Sequence, residues 1–203
     1  MKIVEKNLQF KRTARNRSET NRVIIHHSVS HDVGVETIHQ WHLGNGWFGI
    51  GYHFCIRENG DIEKGRAEKT VGAHAGASGN ADSIGVCLLG NFEVNEPTEA
   101  QLNSLAWLIT NYLEPKYGEL NVQGHNDFMS TACPGSKFPW DELERRIDMS
   151  DVPEWKTSAV DFFADKGMLN DPEGWKDKID DPVPAWAFFI MLERIYKANR
   201  EGR

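Results

Sequence analysis

Two runs of the chain, RVIIHH at 22–27 and SIGVCLLG at 83–90, are apolar at consecutive positions. A strand that faces water on one side alternates polar with apolar residues, whereas a strand apolar on both faces must be covered on both. Runs this short, bounded by histidine, glycine and polar residues, read as central strands of a sheet. They demand helices on either side, and the chain supplies them. VETIHQWHLGNG carries Ile38, Trp41 and His42 at helical spacing and stops at Gly44 and Gly46. After Pro97-Thr98, Leu102, Leu105, Ala106, Leu108, Ile109, Tyr112 and Leu113 make one apolar stripe that ends before Pro115, with Thr98 and Gln101 placed for a capping box. YHFCIRENGDIEKGR predicts a hairpin around Asn59-Gly60, NVQGH a short segment leading to a polar loop, and FPWDELERRID a closing helix. The expected fold class is α/β, a mixed central sheet flanked by helices on both sides.

The first domain is expected to span residues 1–150. Past Asp151-Val152-Pro153 the character changes: WKTSAVDFFADKGML has Trp155, Ala159 and Phe163 at helical spacing. A second helix is predicted from PAWAFFIMLERIYK, with Pro184 in its first turn, and the stretch NDPEGWKDKIDDP between the two reads as a polar connection. Residues 151–203 are thus a small α-helical module, too slight to be comfortable alone.

A net charge of −7 argues against general attraction to nucleic acid or to an anionic membrane. The basic cluster Lys11, Arg12, Arg15, Arg17 and Arg22 reads as a solvated surface segment. The opening residues MKIVEKNLQFKR hold no apolar stretch of the signal-peptide kind, and no window approaches the roughly 18 apolar residues of a membrane span. The expectation is a protein made in the cytoplasm, with no membrane insertion. Three cysteines cannot pair completely; Cys55 and Cys87 sit in apolar runs as small buried thiols.

Cys133 has different company. A catalytic zinc takes three protein ligands and keeps a fourth position for water. His26 closes a buried strand, and His125 and Cys133 bracket the loop HNDFMSTACPG with seven residues between them, enough for both side chains to reach one point. Pro134 restricts the chain just after the cysteine. Spacing alone leaves His26 either a ligand or a structural histidine, and places His27, His31, His39, His42 and His53 in the structural group.

Five blocks of sequence add to this: IIHHSVS at 24–30, IHQWH followed by GWFGIGYHF across 38–54, IRENGDIEKGR at 56–66, VGAHAGASGNADSIGVCLLG at 71–90 and GHNDFMSTACPG at 124–135. In order and interval, over roughly residues 20–147, they resemble the zinc N-acetylmuramoyl-L-alanine amidases of phage lysozymes, whose fold is shared with the peptidoglycan recognition proteins. The resemblance implies that Zn2+ is held by His26, His125 and Cys133, with Cys133 ionised by the metal and not a nucleophile. It places Tyr52 at the family's active-site tyrosine, able to orient water or hydrogen-bond the tetrahedral intermediate, and Thr131 where some members carry lysine, able to donate a neutral hydrogen bond. His74 and Asn80 match positions near the substrate groove, and Trp47 offers an apolar wall to sugar or peptide. Another branch carries a glutamate in the strand matching SIGVCLLG; Cys87 and Leu89 stand there in this chain, which sides with the tyrosine-using branch.

The implied activity is that of a peptidoglycan hydrolase cutting between N-acetylmuramic acid and the L-alanine of the stem peptide, as in a phage or prophage endolysin that acts on the cell wall after release. The alternative is a recognition protein that binds peptidoglycan without cutting. Residues 151–203 resemble one S-layer homology repeat, which implies a secondary cell-wall polymer as a further partner; the alternative role for the module is packing or oligomerisation.

Overall fold

The two-faced strands lie side by side at the middle of the sheet. In the computed structural model of the chain, which describes residues 1–150, 154–178, 189–190 and 192–197, β2 (Arg22–His27) pairs in parallel with β5 (Ser83–Leu88) along its whole length. Around them stand β1 (Ile3–Val4), β3 (Phe54–Ile56), β4 (Ile62–Lys64) and β6 (Asn121–Gly124), in the order β1-β4-β3-β5-β2-β6. Among the six described strands only the β3–β4 hairpin pair is antiparallel, so the sheet is mixed as expected. Its turn needs a positive backbone angle, and Gly60 supplies it with φ of 88°.

Period-two alternation sorts the side chains onto two faces. Val23 and Ile25 join Phe54, Ile56, Val86 and Leu88 on one face, covered by Leu102 and Leu105 of α3 (Glu99–Trp107) and Leu143 of α5 (Trp140–Ser150). On the other, Cys55 and Cys87 lie with Val35 and Ile38 of α1 (Val35–Gly44), Ile50 and Leu89. Each such aliphatic side chain, fully withdrawn from water, contributes about 1.5–3 kcal/mol to holding helix on sheet. Trp41 of α1 is exposed, so the buried stripe of that helix runs through Val35, Ile38 and His39 instead. A five-residue helix, α2 (Gly76–Asn80), precedes β5.

Thr98 and Gln101 form the predicted capping box of α3, Gln101 N donating to the Thr98 hydroxyl at 3.1 Å and Thr98 N to the Gln101 side chain at 3.0 Å. The buried stripe ends at Leu113, but the helical path does not stop before Pro115. The chain passes through a π-helical turn, Leu108–Leu113, into α4 (Glu114–Tyr117), which contains Pro115. Proline lacks an N–H and its ring clashes with the carbonyl four residues back; a widened turn accommodates both, and Glu114 N reaches back to Ile109 O.

The described chain divides into two compact units, Met1–Ile147 and Asp148–Arg203. In the second, α6 (Glu154–Asp165) follows the predicted pattern, but the stretch expected to be a polar connection holds a helix, α7 (Pro172–Lys176). Its start was written locally: Asp171 accepts from Gly174 N at 3.0 Å and Pro172 suits the first turn. Lys176 on α7 bridges to Asp161 on α6 at 2.6 Å. Residues 189–190 and 192–197 are helical, while Pro184, the predicted start of that helix, lies outside the described residues. Among the described residues no helix is long and apolar enough to cross a membrane.

Candidate metal centre

β2 delivers two adjacent histidines to opposite faces of the sheet. His27 turns to the face of the sheet that holds Phe92, its Nδ1 accepting from Phe92 N at 3.0 Å. His26 turns the other way, in register with Cys87 of β5. On its second side β2 pairs with β6, and the register Ile25↔Gly124 puts the next residues, His26 and His125, together at the ends of the two strands. Their ring centroids are 4.5 Å apart. His125 opens a short 3-10 turn, His125–Asp127, and the loop beyond it is drawn back by Asn126 N donating to Cys133 O at 2.9 Å.

That return brings Cys133 Sγ to 3.7 Å from His26 Nδ1 and 3.4 Å from His27 N, which donates to the sulfur. The donor atoms of His26, His125 and Cys133 all lie within 4.8 Å of one another. A tetrahedral ion bound at about 2.0–2.1 Å by nitrogen and about 2.3 Å by sulfur separates those two donors by roughly 3.5 Å. The His26–Cys133 spacing fits that geometry, and two imidazoles with one thiol are a donor set suited to zinc.

Burial holds His26 well below the usual histidine range, with the charge of neighbouring His125 acting in the same direction, so its ring is neutral and offers a lone pair. Burial also lowers His125. It pushes the Cys133 thiol up to about 11, against the opposing pull of the His27 N–H. A metal ion bound here would displace that thiol proton, which is the ordinary route to a metal thiolate.

Five other histidines, His27, His31, His39, His42 and His53, are not ligands of the cluster. His27, His39, His42 and His53 each spend Nδ1 on a backbone N–H, from Phe92, Ile50, Gly51 and Gly85 respectively. His53 then donates from Nε2 to Thr70 O at 2.9 Å, and burial depresses it to about 3. His31 is exposed. The Nδ1 of His26 instead faces sulfur.

His74 is buried behind the centre, its Nδ1 3.0 Å from His26 Nε2 and its Nε2 3.5 Å from Ser83 Oγ. Gly85 makes the slot for this ring: a Cβ there would come within 2.5 Å of it. Asn80 directs its Oδ1 at the backbone, accepting from His74 N and Ala75 N at 2.9 Å each. The Tyr52 ring lies 5.0 Å from that of His26, and burial raises its hydroxyl well above the usual value, aided by the surrounding thiols Cys87, Cys133 and Cys55. Trp47 is half exposed and packs at 4.7 Å against His42, which in turn neighbours Tyr52. Thr131 is exposed beside the centre, its hydroxyl accepting from Cys133 N at 3.3 Å. The sequence-based reading missed the His27 N–H, the Ser83 hydroxyl and the Gly85 slot, for which no side-chain pattern gives a signal.

Residues 16–136 match the family model described as N-acetylmuramoyl-L-alanine amidase. The chain is similar to the endolysin of Escherichia phage T7, 40% identical over an alignment of 136 positions that covers 63% of this chain and 85% of the relative. It is 33% identical over 114 residues to peptidoglycan-recognition protein SC2 of Drosophila melanogaster, covering 54% of this chain and 60% of that protein. Among solved structures it resembles N-acetylmuramoyl-L-alanine amidase LysC from Clostridium intestinale URNW, with a TM-score of 0.69 and 36% identity over 73% of this chain and 98% of the other.

Proposed function

Because this chain belongs to the N-acetylmuramoyl-L-alanine amidase family, we propose that it cuts the amide between N-acetylmuramic acid and L-alanine with zinc held by His26, His125 and Cys133. The amidase activity on peptidoglycan is that of its family and of its endolysin relatives. The observation that carries the zinc assignment is the convergence of two imidazoles and one thiol within 4.8 Å, on residues separated by up to 107 positions. The complete donor set supports cleavage over recognition without cleavage.

Zinc bound here supplies a water acidic enough to ionise near neutral pH and a charge that polarises the scissile carbonyl. The protein's own groups do the rest. Tyr52 keeps its proton under its raised pKa and donates it in a hydrogen bond to the carbonyl oxygen as charge develops there. Thr131 accepts from Cys133 N, which leaves its hydroxyl hydrogen for the same oxygen. Trp47 forms an apolar wall for sugar or peptide. His74 acts through His26: with His26 Nδ1 facing Cys133 and free to hold a metal, His26 Nε2 would carry the hydrogen and donate to His74 Nδ1, and His74 would donate onward to Ser83. Asn80 holds the His74 backbone. Both residues thus support the centre from behind, a different role from the groove contacts that the sequence resemblance implied.

The test is metal content. Wild-type protein is expected to retain one zinc per chain through desalting, and Cys133→Ser to lose it together with activity; a Cys133→Ser protein that holds zinc as firmly as wild type contradicts the assignment.

For residues 151–203 the proposed role is binding to a secondary cell-wall polymer, supported by the W-x-x-x-A-V pattern that opens α6. Removing these residues is expected to weaken binding to whole walls while sparing hydrolysis of small muropeptides; undiminished wall binding ends the idea. We place the enzyme's action at the cell wall after release, as the endolysin names of its relatives suggest.

A further inference from the structure

The basic cluster near the start of the chain does not behave as one solvated segment. Arg22 pairs with Asp82 at 2.9 Å, and Arg17 folds inward to donate to Thr70 O and Glu68 O. Arg12 and Arg15 are exposed and make no ion pair among the described residues. Both border a recess of about 430 Å3 whose deepest cation is Arg66.

Arg66 is 7% exposed. Its Nε donates to Ile50 O at 3.0 Å and its Nη1 to Val71 O at 2.9 Å, but no carboxylate among the described residues pairs with it. A guanidinium withdrawn from water without a counter-charge is unfavourable, and carbonyl oxygens compensate only its dipoles. An adjoining recess of about 420 Å3 shares Arg66 and Arg12 and adds Lys11. Neither recess is lined by an Asp or Glu. Four cations thus surround connected space free of carboxylates, on a chain whose net charge is −7. Arg12 is held flat, 3.3 Å above the centroid of the Phe48 ring, which leaves its N–H edge available.

The recess borders the chain segments that carry Tyr52 and His74, and Phe48 in its wall follows Trp47. Arg66 N donates to Tyr52 O at 2.9 Å, and the wall formed by residues 71–73 runs directly into His74. We propose that this recess binds a free carboxylate of the stem peptide, with Arg66 as its buried counter-charge and Arg12 and Arg15 closing on it from the rim. The proposal rests on the amidase reading, since the stem peptide beyond L-alanine is an anion. Planar guanidinium forks match carboxylate geometry, and two or three around one site give a preference for the acid over its amide.

The experiment compares zinc-loaded wild-type protein with the Arg12→Gln/Arg15→Gln double variant, which alters exposed positions only. Calorimetry measures binding of a soluble muramoyl peptide with free carboxylates and of its fully amidated counterpart. Wild type is expected to favour the acid by about tenfold or more, and the double variant to reduce that preference to about twofold. Equal affinities in wild type, or a preference that survives in the double variant, overturn the site. Hydrolysis is followed alongside: cleavage of both peptides without preference overturns the site and leaves the amidase reading standing, whereas cleavage of neither overturns both.

Discussion

His26 Nε2 lies 3.0 Å from His74 Nδ1, on the edge of the imidazole opposite the one that meets Cys133. This contact decides which nitrogen of His26 is free for a metal. Replacing His74 with alanine removes the acceptor and lets the His26 ring turn, which is expected to weaken zinc binding by roughly 10–100-fold. Competition against a chelator of known affinity measures it. A His74→Ala protein that is folded and binds zinc as tightly as wild type refutes the supporting role and returns His74 to the substrate groove.

Tyr52 separates chemistry from architecture. Its hydroxyl is assigned to the developing oxyanion and to nothing that holds the metal, so Tyr52→Phe should keep its zinc. Its turnover of muropeptides should fall by about 10²–10³, the loss typical of one oxyanion donor. Full activity in Tyr52→Phe removes the tyrosine from the mechanism.

The loop that follows β2 is tied down by Asp32. Arg57 donates to both its carboxylate oxygens at 2.8 Å, and Glu58 N donates at 3.1 Å. The Arg57 hydrogen bonds hold Asp32 below the usual carboxylate value. A depressed folded-state pKa gives stability that is present above the unfolded value, about 3.9, and lost as pH falls through the folded one. Asp32→Asn should therefore cost up to about 1 kcal/mol at pH 7 and progressively less below about pH 4. Denaturant unfolding of both proteins at pH 7 and pH 3 checks this; a gap of the same size at both values contradicts it.

What the sequence made legible was local. Consecutive apolar residues in β2 and β5 required cover on both faces, and Thr98 with Gln101 announced the start of α3. β1 was not legible, because Ile3 and Val4 are too few to show a period. The π-helical turn depends on how the chain absorbs Pro115, and α7 hid in a polar stretch because its start signal, Asp171-Pro172, reads equally well as a turn. At the centre, the residue types were readable but their meeting was not. His26 and His125 are joined by the β2–β6 register, a relation between segments about a hundred residues apart that leaves no mark in either. The same holds for the structural histidines, whose partners are backbone N–H groups brought in by the fold.

The central claim is tested most directly on purified peptidoglycan, by counting new amino termini and new reducing ends released by the protein with one equivalent of zinc and again after chelation. The account predicts N-terminal L-alanine that appears only with zinc, and no new reducing ends. Reducing ends without free L-alanine, or release of L-alanine that persists at the same rate after the metal is stripped, would contradict it.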